Sequence, residues 1–467
     1  MRCKSFSAIV TSDIHGELRR FETIAAHIRQ QKPALLLDNG DLLQGSFEHM
    51  YDTAHECDSQ VIALANELGY DAMIFGNHEF NETPQRLHQL RKQATFPWIS
   101  CNIGDFAQPY IVKMIEDVKV VVIGVTTHFT PHWDEHGYTK GLNFQQAYEA
   151  LAAQLPRIRQ QEEADIVIVS YHGGFAQDPN GTWIFDEGTG ENEAEKMLYL
   201  PGIDLLITGH QHMQFVGKKN GVSYIQPGSH GTAFASVTFT YEHGTWQVAA
   251  QIVPVVEEAP RKPQVETWLA ETIGKAPARL TYNDLQQTMI QGHPYIDWFH
   301  QFQRHITGAD ISVTELFFQE QGGLPQHVTR EHIRRCYPRD NVLVTLEMTG
   351  AQICAALEQS AAVFATYEDG TLDYAVNVYP NTLQPYQFDF IGGVTFTCQW
   401  QQPVGQRITD VQVGAHAMQM DAVYTVAVNS FRAMGHPPFT MYQQANEIKR
   451  TVETIPQLLE RYIRKSV

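Results

Sequence analysis

The sequence predicts a two-domain protein in which a layered α/β domain precedes a smaller α+β domain. Three observations carry this expectation. Short aliphatic runs in the first half each end in a polar cluster, as buried strands bounded by turn residues do. Helical periodicity fills stretches between them, and a proline-rich, charged stretch from Pro254 to Pro263 precedes a second half with its own strands and helices.

In chain order, Ala8-Ile9-Val10 leads into Thr11-Ser12-Asp13-Ile14-His15-Gly16. Glu17 to Gln31 then places Leu18, Phe21, Ile24, Ala25 and Ile28 at helical spacing, so Asp13 and His15 sit on a strand-to-helix turn. Ala34 to Leu37 runs into Asp38-Asn39-Gly40-Asp41. A second helix, Ser59 to Leu68, points Val61, Ile62, Leu64, Ala65 and Leu68 inward and leads to Ala72 to Phe75 and the cluster Gly76-Asn77-His78-Glu79-Phe80. Val120 to Val125 reaches Thr126-Thr127-His128, and a helix is expected at Gln145 to Gln161. Ile166 to Val169 ends at Ser170-Tyr171-His172-Gly173-Gly174, a long loop is expected over Asp178 to Glu193, and Leu205 to Ile207 ends at Thr208-Gly209-His210-Gln211-His212. Polar residues just beyond the carboxyl ends of such strands are where α/β sheets place active sites.

From Val216 to Val256 the pattern becomes one of short antiparallel strands, including Val222 to Ile225 and Ser236 to Tyr241. Val265 to Lys275 reads as helical. These features predict a first domain over 1–260, a linker over 261–278 and a second domain over 279–467. The second domain is expected to hold a helix at His293 to Thr307, a strand at Val342 to Met348, a helix at Ala351 to Ser360, and strands at Val394 to Cys398 and Tyr424 to Val428. It has no ligand-bearing strand ends like those of the first half, and is read as the part that helps choose the substrate.

Composition narrows the function. No apolar run approaches the ~20 residues of a membrane span, so no membrane partner is expected. A start of Met1-Arg2-Cys3-Lys4-Ser5-Phe6 running straight into the first strand leaves no signal-peptide core, and six scattered cysteines without a Cys-x-x-Cys pair suggest reduced thiols; both point to a cytoplasmic protein. A net charge of −19 without a basic stretch argues against a nucleic-acid polymer as partner. A small phosphorylated ligand stays compatible, because bound cations reverse the local field. Oligomeric state is not legible.

The candidate ligands are Asp13, His15, Asp41, Asn77, His172, His210 and His212. Mixed carboxylate, amide and imidazole donors in this number suit two divalent ions sharing one bridging carboxylate, for which Asp41 is the candidate. Manganese, zinc, iron and cobalt fit this donor set, and the histidines disfavour magnesium. Two such ions lower the pKa of a shared water and stabilise charge on a phosphoryl group in transit.

These motifs, SDIHG (12–16), GDLLQGS (40–46), GNHEF (76–80), YHGG (171–174) and GHQH (209–212), resemble those of the calcineurin-like metallophosphoesterases. Within that family the chain is similar to the two-domain bacterial 5′-nucleotidases and 2′,3′-cyclic-nucleotide 2′-phosphodiesterases. The likeness continues through YPRDNVLVTLEMTGAQICAALEQSA (337–361), YQFDFIGGVTF (386–396) and VNSFRAMG (428–435), so it covers most of the chain. The resemblance implies a four-layer α/β/β/α sandwich followed by a smaller α+β nucleotide-binding domain. It implies one metal held by Asp13, His15, Asp41 and His212, a second held by Asp41, Asn77, His172 and His210, and attack on the phosphate ester by a metal-bridging hydroxide. His78 is implied as general acid or transition-state stabiliser. Tyr386, Phe388 and Phe390 alternate as a strand would, and Phe388 and Phe431 are implied as a clamp on the base, with Asn429 and Arg432 as further substrate-binding residues.

Departures bear on the substrate. Many 5′-nucleotidases continue GNHEF with Asp, where this chain has Asn81; an amide orients His78 without stabilising its cation, so His78 is expected to be less basic than in the Asp version. The resemblance implies that the phosphodiesterase branch often carries Asn at this position, so Asn81 modestly favours that branch. The Gly-rich turn after the phenylalanine motif stands here as Gly435-His436-Pro437-Pro438-Phe439 and lacks the acidic residue that some relatives use on ribose. Hydrolysis of a nucleotide sugar or sugar phosphate is the alternative reaction, and an inactive nucleotide-binding module the alternative class. His128, His132 and His136 around Trp133 are read as a solvated loop, and His293 and His300 as surface or interface residues.

Overall fold

The computed structural model describes residues 4–177, 190–317, 321–375 and 385–465. The chain divides into two compact units between Val265 and Glu266.

The first unit is built on two six-stranded sheets. One runs in the order Thr245–Pro254, Ala233–Glu242, Lys4–Thr11, Leu35–Asp38, Ala72–Ile74, Trp98–Ile99. The last four of these are parallel, and the two outer ones join antiparallel. The other runs Tyr110–Ile115, Val118–Thr126, Ile166–His172, Leu205–Thr208, Val222–Pro227, Gln214–Lys219, with its four central strands parallel. Strands buried on both faces need apolar side chains in both directions, which is why these runs are aliphatic without alternation. Val10, Leu37, Ile74 and Ile99 of the first sheet pack with Val122, Ile168 and Ile207 of the second. The outer faces are covered by helices: Leu18, Phe21, Ile24 and Ile28 of helix Leu18–Gln31 lie on the first sheet, and Leu151, Leu155 and Ile158 of helix Ala147–Glu162 on the second. The result is the four-layer sandwich. Helix Gln60–Leu68 begins where Ser59 accepts the Ile62 amide and ends at left-handed Gly69.

The second unit centres on a five-stranded mixed sheet in the order Phe390–Gly392, Ile311–Thr314, Val423–Asn429, Val342–Thr349, Asn446–Thr454. Phe299 and Phe302 of helix Pro294–Thr307 enter one of its cores, and Ile353 and Leu357 of helix Gly350–Ala361 the other.

Three expectations need correction. Within residues 261–278, expected as a linker, lie helix Pro263–Ala270 and strand Thr272–Lys275, with Leu269 and Ile273 buried; the helix expected to run to Lys275 stops at Ala270, and Thr272, Gly274 and Lys275 pair with Thr329, Val328 and His327 instead. Tyr386 to Phe390 is not a strand, since a 3-10 turn holds Pro385–Gln387 and pairing begins at Phe390. His300 is buried, its Nδ1 2.8 Å from the Ser312 hydroxyl. The loop expected over Asp178 to Glu193 falls largely outside the described residues, which resume at Gly190.

Near its carboxyl end the first unit is tied by Arg261, whose Nε donates to buried Glu48 at 3.0 Å while its guanidinium covers Phe47. Arg261→Ala strands the Glu48 carboxylate and is expected to lower unfolding stability by about 2 kcal/mol. Adding Glu48→Gln should recover part of that loss. Chemical denaturation of both variants checks it, and an unchanged single mutant shows the tie to be idle.

Candidate metal centre

The parallel strands deliver the expected ligands. Asp13, Asp41, Asn77 and His210 each follow a strand by two or three residues, and His172 is the last residue of its own. Asp13, His15 and His212 form one group, Asp41, His172 and His210 another, and His15, Asp41 and His78 a third; within each, one donor atom per residue lies within 4.8 Å of the others. Asn77 joins them, its amide oxygen 3.2 Å from His172 Nε2 and 2.9 Å from His210 Nδ1. All seven expected ligands therefore meet in one place, with His78 beside them.

The backbone is bent to do this. Asp13, His15, Asp41, His210 and His212 all take left-handed φ between 52° and 69°. Such a conformation costs a side-chain-bearing residue roughly 1–2 kcal/mol, and clusters of it mark functional turns. Two glycines make room. A Cβ on Gly76 would collide with the Asp41 carboxylate, and one on Gly209 with Ser12, Asn39 and Asp13.

Hydrogen bonding fixes which ring nitrogens face inward. His172 Nδ1 lies 2.8 Å from the Asn39 carbonyl, an acceptor only, so that nitrogen carries the proton and Nε2 turns toward Asp41 Oδ2 at 3.2 Å. His15 is held likewise by the Gln44 carbonyl at 2.8 Å, leaving its Nε2 2.9 Å from His212 Nε2. Imidazole nitrogens and carboxylate oxygens thus converge on one point, an arrangement that suits a cation. The donor set fits divalent cations.

The acids show the same demand. Burial pushes Asp13 up to about 6, Asp38 up to about 7 and Glu79 up to about 8. Burial would raise Asp41 too, but His172 and His78 beside it hold its carboxyl well below the ordinary range. Burial opposes a charged His172, yet Asp41, Asp13 and Glu79 raise it to about 10, whereas burial depresses His15 and takes His212 down to about 3. Among the described residues the ion-pair partners of Asp41 and Asp13 are histidines, His172 and His212.

His78 donates its backbone N–H to Asp41 Oδ1 at 2.8 Å, and its Nδ1 lies 2.8 Å from Gln44 Oε1 and 2.9 Å from Asn81 Nδ2. Asn81 therefore touches the ring it was expected to orient, and Gln44 joins it. Several contributors were not singled out from the sequence. Glu79 accepts the amides of Gly76, Asp41 and Leu42 at 2.7–3.0 Å, His230 stacks on His15 at 4.8 Å, and Glu191 meets His210. Glu79 stands two residues after Asn77, inside the motif itself, and no side-chain pattern announces that it accepts amides. Trp133, assigned to a solvated loop, lies against the His210 ring at 5.1 Å.

The substrate residues expected in the second unit are placed differently. Phe388 is 7% exposed and packs edge-on to Phe364 and Phe390 in the core, so its face is not open to a base. Phe431 pairs instead with His436, at 5.1 Å. Asn429 caps helix Ser430–Ala433 and donates to Glu315; Arg432 pairs with Asp389 at 2.9 Å, donates to the Tyr386 carbonyl at 2.6 Å and covers Phe439. Both polar side chains serve a buried internal network.

A helix-sheet-sheet-helix sandwich with mixed donors at its parallel strand ends is the architecture of a metallophosphoesterase. Residues 6–214 match the calcineurin-like phosphoesterase family, whose members use divalent metals, and residues 272–444 match the 5′-nucleotidase C-terminal domain. The chain belongs to the calcineurin-like phosphoesterases that carry this second domain. It is similar to a Staphylococcus aureus protein provisionally named a 5′-nucleotidase, with 30% identity, a TM-score of 0.89, and 98% of this chain and 96% of that one covered. A 2′,3′-cyclic-nucleotide 2′-phosphodiesterase/3′-nucleotidase of Salmonella typhimurium is 24% identical, covering 90% of this chain and 77% of that protein. The 5′-nucleotidase precursor of Thermus thermophilus shares the fold at 19% identity, a TM-score of 0.67, and 99% and 97% coverage.

Glu79→Ala leaves three buried amides without acceptors and is expected to cost about 3 kcal/mol or more. Thermal melting of the variant tests this, and an unchanged Tm contradicts the role. In the second unit, burial raises Glu315 from 4.5 to about 8. Its neutral form is favoured on folding, so that contribution is intact below about pH 4.5 and is lost as pH rises toward 8. Glu315→Gln should flatten the fall in stability across that window, as measured by Tm at several pH values; an identical slope in both proteins opposes it.

Proposed function

We propose that the chain is a two-metal phosphohydrolase that cleaves nucleotide phosphate esters, as a 5′-nucleotidase, a 2′,3′-cyclic-nucleotide 2′-phosphodiesterase/3′-nucleotidase, or both. The observation that carries the reading is the convergence of seven carboxylate, amide and imidazole donors at the strand ends of a phosphoesterase sandwich. The names of the similar proteins support the nucleotide part. In this reading Asp13, His15, Asp41 and His212 hold one cation, and Asp41, Asn77, His172 and His210 the other. When bound, the pair supplies Lewis acidity to the phosphoryl group and an activated water. His78, held at Nδ1 by Gln44 and Asn81, donates a proton or hydrogen bond to the phosphate or leaving oxygen. Gly76 and the Glu79 carboxylate keep Asp41 in place between the two ligand sets. Five described cysteines are free, which supports a cytoplasmic setting, and no described helix is long and apolar enough to cross a membrane.

One observation favours the base-free part of the alternative, a sugar phosphate. Phe388, Asn429 and Arg432 are engaged internally, which weakens the support they lend to base recognition.

Asp41→Asn is expected to abolish hydrolysis and bring bound metal from two ions toward one or none, read by elemental analysis. His78→Ala should keep its metal while kcat falls by roughly two to four orders of magnitude. An active Asp41→Asn protein with two equivalents refutes the bridge, and metal loss in His78→Ala moves that ring among the ligands. For the substrate, a manganese-supported panel of 5′-, 3′- and 2′,3′-cyclic nucleotides, nucleotide sugars and sugar phosphates decides. Nucleotides should lead by at least about ten-fold in kcat/KM, or ~1.4 kcal/mol at the transition state. A lead for sugar phosphates installs the alternative.

A further inference from the structure

His210 offers both ring nitrogens to partners. Nδ1 lies 2.9 Å from the Asn77 amide oxygen, while Nε2 lies 2.9 Å from Glu191 Oε1. Both partners are acceptors, and a neutral imidazole has one proton. A lone pair on Nε2 would face an anion, so the proton belongs on Nε2 and the lone pair on Nδ1, turned toward Asn77 and the Asp41–His172 group.

Glu191 is no stray surface acid. Its carbonyl accepts the Tyr171 hydroxyl at 3.2 Å, the next residue, Asn192, accepts the Gly174 amide at 3.0 Å, and buried Glu193 accepts the Tyr148 amide at 2.9 Å. Glu191 and Asn192 are thereby pinned to the Tyr171–Gly174 segment that carries His172. On the other side Trp133 lies against the His210 ring at 5.1 Å, tilted by 31°. The ring thus has a carboxylate at one edge and an indole against it.

We propose that Glu191 is a positioning residue, which sets the tautomer of His210 so that Nδ1 is presented to the cation shared with Asp41, Asn77 and His172. The carboxylate also makes that nitrogen a stronger donor, as acceptors behind metal-bound imidazoles do. Of the two cation positions, Glu191 acts on one. This rests on the assignment of His210 to a cation in the proposed function.

Two measurements test it. In the metal-free full-length protein, ring nitrogen NMR should show His210 with its proton on Nε2, and Glu191→Ala should give a mixture of tautomers or the opposite one. Calorimetric titration of the metal-free protein with manganese should then show one site weakened by about 10–100-fold in Glu191→Ala and the other unchanged. Glu191→Gln, which keeps an acceptor oxygen, should recover most of the affinity. An unchanged tautomer, or two sites of wild-type affinity in Glu191→Ala, overturns the inference, as does an equal weakening of both sites accompanied by a lower Tm. Fewer than two manganese ions on the wild-type protein overturns the ligand assignment instead, and the tautomer reading still decides what Glu191 does.

Discussion

The fold's first unit is organised around the mutual exposure of Asp41 and His172, 3.2 Å apart and both almost wholly excluded from water. A carboxylate and an imidazole in that position come from different sheets, so the two sheets must keep their register for the pair to exist. The interior of Val10, Leu37, Ile74, Val122, Ile168 and Ile207 does that. Apolar burial of this kind contributes roughly 25 cal/mol per Å², which is the resource that sustains left-handed turns and desolvated acids at the strand ends. Asp13, Asp38, Asp41 and Glu79 together would be a poor use of a protein interior unless positive charge met them.

Much of the first unit was legible because its signals are local. Helix Leu18–Gln31 buries the five side chains that its periodicity nominated, and the motifs that carry Asp13, Asp41, Asn77, His172 and His210 reached the same place. The groups that were missed act through backbone or over distance. Glu79 contributes by accepting amides, and nothing in a side-chain pattern announces that. Glu191 and Trp133 come from segments with no periodicity, and their meeting with His210 is a product of the tertiary fold. His300 looked like a helix-surface residue, yet the helix face it occupies is the one turned to Ser312.

The second unit shows where resemblance and physical setting part. Alternating aromatics at 386, 388 and 390 suggested a strand with rings to spare, and the chain instead makes a turn there and commits Phe388 to the core. Asn429 and Arg432 stand in a network with Glu315, Asp389 and Tyr442, in which Tyr442 donates to Asp389 at 2.8 Å. A buried network of this sort fixes one arrangement of its members, because each unpaired group would cost about 1–3 kcal/mol. It gives the second unit a defined internal frame.

The central claim is that the seven donors form two cation positions joined at Asp41. Its most direct measurement is an anomalous-scattering crystal structure of the manganese-loaded protein. The account predicts two peaks, one among Asp13, His15, Asp41 and His212 and one among Asp41, Asn77, His172 and His210, with Asp41 touching both. A single peak, or two peaks of which Asp41 touches at most one, would contradict it.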